Sequence, residues 1–129
     1  IGRREVDVYG KENLDQIIHW VSENIESSKV DLIWYQSNSE GDIIDKLHWA
    51  IDNQIGGVVI NPGAYTHYSY AIRDAISSIN IPTVEVHLSN INQRENFRKV
   101  SVIKDVCKKQ IKGKGKEGYL EAINLFTKS

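Results

Sequence analysis

Residues 56–63 read GGVVINPG. Residues 56–60 are an unbroken apolar run rather than an alternation, the pattern of a strand covered on both faces. Asn61-Pro62-Gly63 ends the run with three turn-forming residues. A strand buried on both sides needs helices above and below its sheet, so the flanking segments should carry helical periodicity.

They do. Upstream, Ile43, Ile44, Leu47 and Ile51 recur at helical spacing behind Ser39 and Asp42, a pair spaced as a capping box. Before them, residues 30–35 (VDLIWY) read as a short strand, and residues 11–28 as a helix with Leu14, Ile17, Ile18, Val21 and Ile25 on one face. Downstream, residues 66–79 are helical in period through Ala71, Ile72, Ala75 and Ile76. Pro82 opens a strand that ends near His87, and Ser89 or Asn90 can cap a short helix through Phe97. Residues 110–113 read as a last strand and residues 117–126 as a last helix, with Tyr119, Ile123 and Phe126 at one spacing.

Alternating helices and buried strands predict an α/β fold with a doubly wound parallel sheet. The 129 residues suit a single domain spanning 1–129. Four strands are counted, and the chain opens on IGRREVDVYG, which reads as a strand-to-helix loop. A further, central strand is therefore expected ahead of Ile1, as the absence of methionine also suggests. Residues 1–10, charged and flanked by Gly2 and Gly10, are expected to form a lid loop over a site.

Composition narrows the classes. Hydrophobic residues make up 40% and charged residues 26%, which argues against disorder. A net charge of −1 gives no global attraction to nucleic acid or to an anionic membrane. No apolar run approaches membrane-spanning length. Cys107 is the one cysteine, which excludes an intramolecular disulfide and fits a reducing cytoplasm. The cluster Lys108, Lys109, Lys112, Lys114 and Lys116 reads as a solvated edge strand protected by lysines, because no aromatic residue is interleaved for nucleic acid.

Ligands of such sheets bind outside the carboxyl ends of the strands. Three polar stretches collect there: residues 61–67, residues 85–89, and the opening loop with Arg3, Arg4 and Tyr9. Glu85 and His87 are two apart on a strand and share a face. A carboxylate beside imidazole orients it and favours its charged form, as a general acid requires, but a buried pair holding a loop fits the pattern too. Arg94 and Arg98, four apart on an expected helix, offer paired donors to oxygen ligands or make a solvated face. Arginines near Tyr9 would favour tyrosinate, a base, although a loop tyrosine also serves as packing. His67 and Asp74 are seven apart on the expected helix and should share its face. His19, His48, Trp20, Trp34 and Trp49 read as structural, and Cys107 as a packing residue. There is no nucleotide-binding motif, no nucleophile elbow and no metal-spaced pair of histidines.

Five stretches together carry a resemblance: GRREVDVYG, YQSNSEGDIIDKLHWA, GGVVINPGAYTHYSYAIRDAI, IPTVEVHLSNINQRENFR and GYLEAI. From residue 2 to residue 126 the chain resembles the type II 3-dehydroquinate dehydratases. The resemblance implies a flavodoxin-like sheet without cofactor or metal. It also implies dehydration of 3-dehydroquinate to 3-dehydroshikimate by anti elimination through an enolate, in the shikimate pathway or in quinate breakdown. It implies that Tyr9 takes the C2 proton while Arg4 keeps it ionised and Arg94 adds positive charge. His87 would protonate the leaving hydroxyl, oriented by Glu85. Asn61 and the backbone amides of Leu88 and Ser89 would hold the substrate carboxylate, and His67 and Arg98 the ring hydroxyls. Asp74 would reach a neighbour's site in a trimer, four of which form a dodecamer. Two features depart from the family: its opening strand, with an Asn-Gly-Pro-Asn-Leu-like turn, is not among these residues, and residues 108–116 are lysine-rich where the family is usually apolar. The alternative is a non-catalytic flavodoxin-like binding module or pseudoenzyme. A receiver is disfavoured because Asn61-Pro62-Gly63 stands where its phosphorylated aspartate would be, and a flavodoxin because no Ser/Thr/Gly-rich phosphate loop is found.

Overall fold

A computed structural model describes residues 13–25, 30–88 and 100–127. Helix α1, Leu14–Asn24, realises the periodic run expected over 11–28. Its start is a reciprocal cap that the apolar spacing did not reveal: Asn13 Oδ1 accepts from the Gln16 amide, and Gln16 Oε1 accepts from the Asn13 amide, both at 2.9 Å. Helix α2, Glu40–Asp52, is capped by Ser39, whose Oγ accepts from the Asp42 amide at 3.2 Å. The expected box forms only by half. Asp42 accepts instead from the Ser37 hydroxyl, and the Ser39 amide donates to Ser37 Oγ. An aspartate is one methylene shorter than the glutamate that usually reaches back.

Strand β1, Val58–Ile60, is followed by a 3-10 turn, Gly63–His67, and helix α3, Tyr70–Ile79. This corrects the single helix expected over 66–79. Ser69 Oγ accepts from the Ile72 amide and starts α3 afresh, so His67 and Asp74 do not share one helical face. Asn80 ends α3 at φ 56°, the left-handed cap an asparagine tolerates. Strand β2, Thr83–His87, a 3-10 turn, Lys104–Val106, strand β3, Lys109–Lys112, and helix α4, Glu117–Thr127, complete the order.

The sheet runs β1-β2-β3 with both pairings parallel, as expected. Its registers set Ile60 beside Glu85, Glu85 beside Gln110 and His87 beside Lys112. Side-chain alternation along β2 divides the core. Val84, Val86 and Leu88 pack with Ile17 and Val21 of α1 and with Tyr119, Ala122 and Ile123 of α4. On the other side, Leu47 of α2 packs with Ile72, Ala75, Ile76 and Ile79 of α3 and with Val102 and Ile103. Helices thus cover both faces, and lysine-rich β3 is an edge strand among the described residues. Helix α4 lies so close that a Cβ on Gly57 would come 2.6 Å from Phe126 Cδ1.

Residues 30–35 are not the strand expected. Their burial alternates as in a strand, with Val30, Leu32 and Trp34 half-buried and Asp31, Ile33 and Tyr35 exposed, yet they join no ladder among the described residues. A cavity of about 700 Å³ is lined both by this run and by residues 56–62. Extended conformation is written in a segment's own composition, whereas a ladder needs a neighbour.

Candidate active site

The parallel sheet brings the carboxyl ends of β1 and β2 side by side. Asn61 follows β1, His87 ends β2, and buried Leu88 comes next. Alternation on β2 aims Glu85 and His87 away from the α1–α4 side, and both are buried. The His87 ring donates through Nε2 to Glu85 Oε2, so the pairing expected from their spacing is present. Two further donors reach the same oxygen: Ser101 Oγ at 2.8 Å and Gln110 Nε2 at 3.1 Å. Glu85 Oε1 has no hydrogen-bond partner among the described residues.

Burial alone would push the Glu85 carboxyl up. The His87 hydrogen bond and charge, with the bonds from Gln110 and Ser101, outweigh burial and hold it below its ordinary value. Glu85 is therefore an anion at neutral pH. With Nε2 committed to that anion, a proton given by His87 to a ligand must leave from Nδ1. Cys107 lies within reach of the same charge. Burial, then the Glu85 charge, pushes its thiol up to about 12, so the packing role expected of it agrees with its chemistry.

Asn61 is held from two sides. Its Oδ1 accepts from the Gly63 amide at 3.2 Å, and its Nδ2 donates to the Tyr119 hydroxyl at 3.0 Å. Gly63 sits at φ 60°, which the turn requires and glycine supplies. His67 closes the 3-10 turn and donates from Nδ1 to the Val100 carbonyl at 2.7 Å, which makes Nε2 the acceptor of the neutral ring. Asp74 is exposed on α3.

The structure thus brings Glu85 and His87 into contact and sets Asn61 at the end of the neighbouring strand. Arg4, Tyr9, Ser89, Arg94 and Arg98 lie outside the described residues, as do the expected lid over 1–10 and the expected helix through Phe97. The sequence alone does not mark Ser101, Gln110 and Tyr119 as site residues. A parallel-register argument could have found Gln110, while the other two depend on how a loop and a helix return to the sheet. Among the described residues no group of His, Cys, Asp and Glu could hold a metal ion, and no helix is long and apolar enough to cross a membrane.

Comparison with known proteins agrees with this geometry. The family model described as Dehydroquinase class II matches residues 1–127. A 3-dehydroquinate dehydratase of Caldicellulosiruptor saccharolyticus is 50% identical over 123 residues, which cover 95% of this chain and 85% of that protein. The crystal structure of the type II dehydroquinase from Butyrivibrio crossotus matches with a TM-score of 0.90 at 50% identity, covering 96% of this chain and 86% of that one. The type II dehydroquinase from Propionibacterium acnes matches with a TM-score of 0.89 at 36% identity, covering 99% and 88%.

Proposed function

The chain belongs to the class II dehydroquinase family, and from that premise we propose that it is a hydro-lyase converting 3-dehydroquinate to 3-dehydroshikimate. The observation that carries the reading is the buried Glu85–His87 pair at the carboxyl end of the middle strand, one strand away from Asn61. A buried carboxylate fixes the ring tautomer and stabilises a charge on the imidazole, which suits a general acid.

In this mechanism Tyr9, kept ionised by Arg4 with further positive charge from Arg94, removes the C2 proton and generates an enolate. The C1–O bond then breaks with the electron pair leaving on oxygen, and His87 supplies the proton that makes the departing group water. The base and the acid act on opposite sides of the ring, which gives anti elimination. Separating the roles between a phenol and an imidazole lets each keep the protonation state its step needs. Asn61 and the amides of Leu88 and Ser89 bind the substrate carboxylate, while His67 and Arg98 meet the ring hydroxyls.

Asp74 serves a neighbour's site in a trimer, and trimers assemble to a dodecamer in the cytoplasm. Its exposure on α3 is compatible with that role. The shikimate pathway and quinate breakdown use the same chemistry.

The decisive experiment follows ultraviolet absorbance of the conjugated enone as 3-dehydroquinate is added near neutral pH. Saturable appearance of the enone is expected. No enone from folded protein would overturn the proposal.

A further inference from the structure

Glu85 is buried, and among the described residues His87 is the one ionisable group in hydrogen-bond contact with it. The other two groups that reach it are the hydroxyl of Ser101 and the amide of Gln110, which donate protons without bringing charge. Both converge on Oε2, the oxygen that also accepts from His87. Gln110 is placed there by the sheet, since it is the register partner of Glu85 on β3 and alternation points both to the same side. Ser101 arrives independently, in the segment ahead of the Lys104–Val106 turn.

We propose that Ser101 and Gln110 are positioning residues that hold the Glu85 carboxylate ionised and rotated toward the His87 ring, donating hydrogen bonds without bringing a competing charge. The proposal rests on the reading of His87 as the general acid. Neutral donors are the informative choice. An arginine or lysine at either position would compensate the carboxylate and weaken its preference for a protonated imidazole. An apolar residue would remove one of the donors that oppose burial, and the carboxyl would titrate higher.

The neighbourhood is consistent with this division. Lys109, the register neighbour of Val84, points to the other side of the sheet and pairs with Glu121 of α4. The Cys107 thiol stays neutral near Glu85. Lys112 is the register neighbour of His87. Among the described residues, His87 contacts Glu85 directly, Cys107 feels its charge, and Lys112 stands two positions beyond Gln110 on β3.

The test uses Ser101→Ala, Gln110→Leu and their combination, with Ser101→Thr as the variant that keeps the hydroxyl. The first readout is the 13C resonance of the Glu85 carboxyl against pH, which needs no substrate. Loss of one hydrogen bond to a charged group should raise its midpoint by about one pH unit, and loss of both by more. The second is kcat against pH for the dehydratase reaction. Each single variant should lower kcat about tenfold, leave KM within about twofold, and move the acidic limb upward by the same interval. Ser101→Thr should restore both readouts. If the double variant does not fold, as judged by thermal melting, the single variants carry the test alone. An unmoved Glu85 midpoint in folded single variants would overturn the proposal. A midpoint that moves as expected in a protein that makes no enone would overturn the dehydratase reading and leave the positioning roles standing.

Discussion

The Asn61 side-chain amide donates to the Tyr119 hydroxyl at 3.0 Å, a bond that ties the carboxyl end of β1 to the first turn of α4 across 58 residues of sequence. Tyr119 is otherwise core, packed against Val84, Val86 and Ile123 and edge-to-face with Trp34 at 6.2 Å. A core tyrosine with its polar tip aimed at Asn61, the proposed ligand of the substrate carboxylate, would couple packing to binding.

Tyr119→Phe should therefore leave the fold nearly intact, costing about 1 kcal/mol for the lost bond. It should raise KM for 3-dehydroquinate several-fold with a smaller change in kcat, because Asn61 loses a constraint on its orientation. Steady-state kinetics together with urea unfolding check both halves. An unchanged KM would show that Gly63 alone is enough to orient Asn61.

Replacing His87, the proposed acid, should be worse than replacing Glu85, the proposed orienting group. His87→Ala is expected to lower kcat by about 10² to 10⁴. Glu85→Gln, which keeps shape and one hydrogen-bonding oxygen, should lower it less. Comparing kcat of the two variants with the same substrate decides the ranking, and a larger loss at Glu85 would reverse the two roles.

Acid should destabilise the protein partly through Glu85. Its folded carboxyl titrates below the ordinary value of 4.5, so the unfolded state binds its proton first as pH falls. The resulting stabilisation is complete above about pH 4.5 and disappears as pH drops below that value through the lowered folded one. Urea unfolding at pH 7, 5, 4 and 3 should show a shallower loss of stability on the acid side for Glu85→Gln than for the unaltered protein. Parallel curves would refute the linkage.

Gly57→Ala should destabilise by about 1–3 kcal/mol, because the new methyl meets the Phe126 ring at 2.6 Å. Phe126→Leu in the same chain should recover part of that loss. A double-mutant cycle measures the coupling, and strictly additive effects would mean that the ring moves aside freely.

Cys107 should resist thiol reagents in the native protein at pH 8, since its thiol is pushed up to about 12. Labelling should become rapid and stoichiometric in denaturant. Fast labelling of the native state would contradict the upward shift of this half-buried thiol near Glu85.

What was legible in the sequence was what local periodicity encodes. Ile17 with Val21, and Ile72 with Ala75 and Ile76, announced their helices through spacing, and GGVVI announced a strand covered on both sides. The Glu85–His87 contact followed from the two-residue repeat of a strand alone. Most of the failures share a physical origin, a partner distant in sequence, and one is a local cap. Residues 30–35 have strand composition, but a ladder is a property of two segments. The spacing of His67 and Asp74 looked helical because Ser69, a cap inside the run, interrupts the helix without interrupting the apolar pattern. Ser101 meets Glu85 only through the path of its loop, and Gln110 only through the register of β3.

The two ladders also govern how the molecule comes together. Val58 pairs with Thr83 and Glu85 with Gln110, so each closure spans 25 residues (83 − 58 and 110 − 85). Neither is a hairpin, and entropy opposes both loop closures before any ladder bond rewards them. β2 belongs to both ladders, so nucleation of the sheet depends on it, and β2 carries Glu85 and His87. Helices that form early cannot hold this pair in register with Gln110. Refolding should accordingly show helical ellipticity returning ahead of enzymatic turnover, with turnover recovering in step with the burial of Tyr119 and Trp34 and no half-active species accumulating between them.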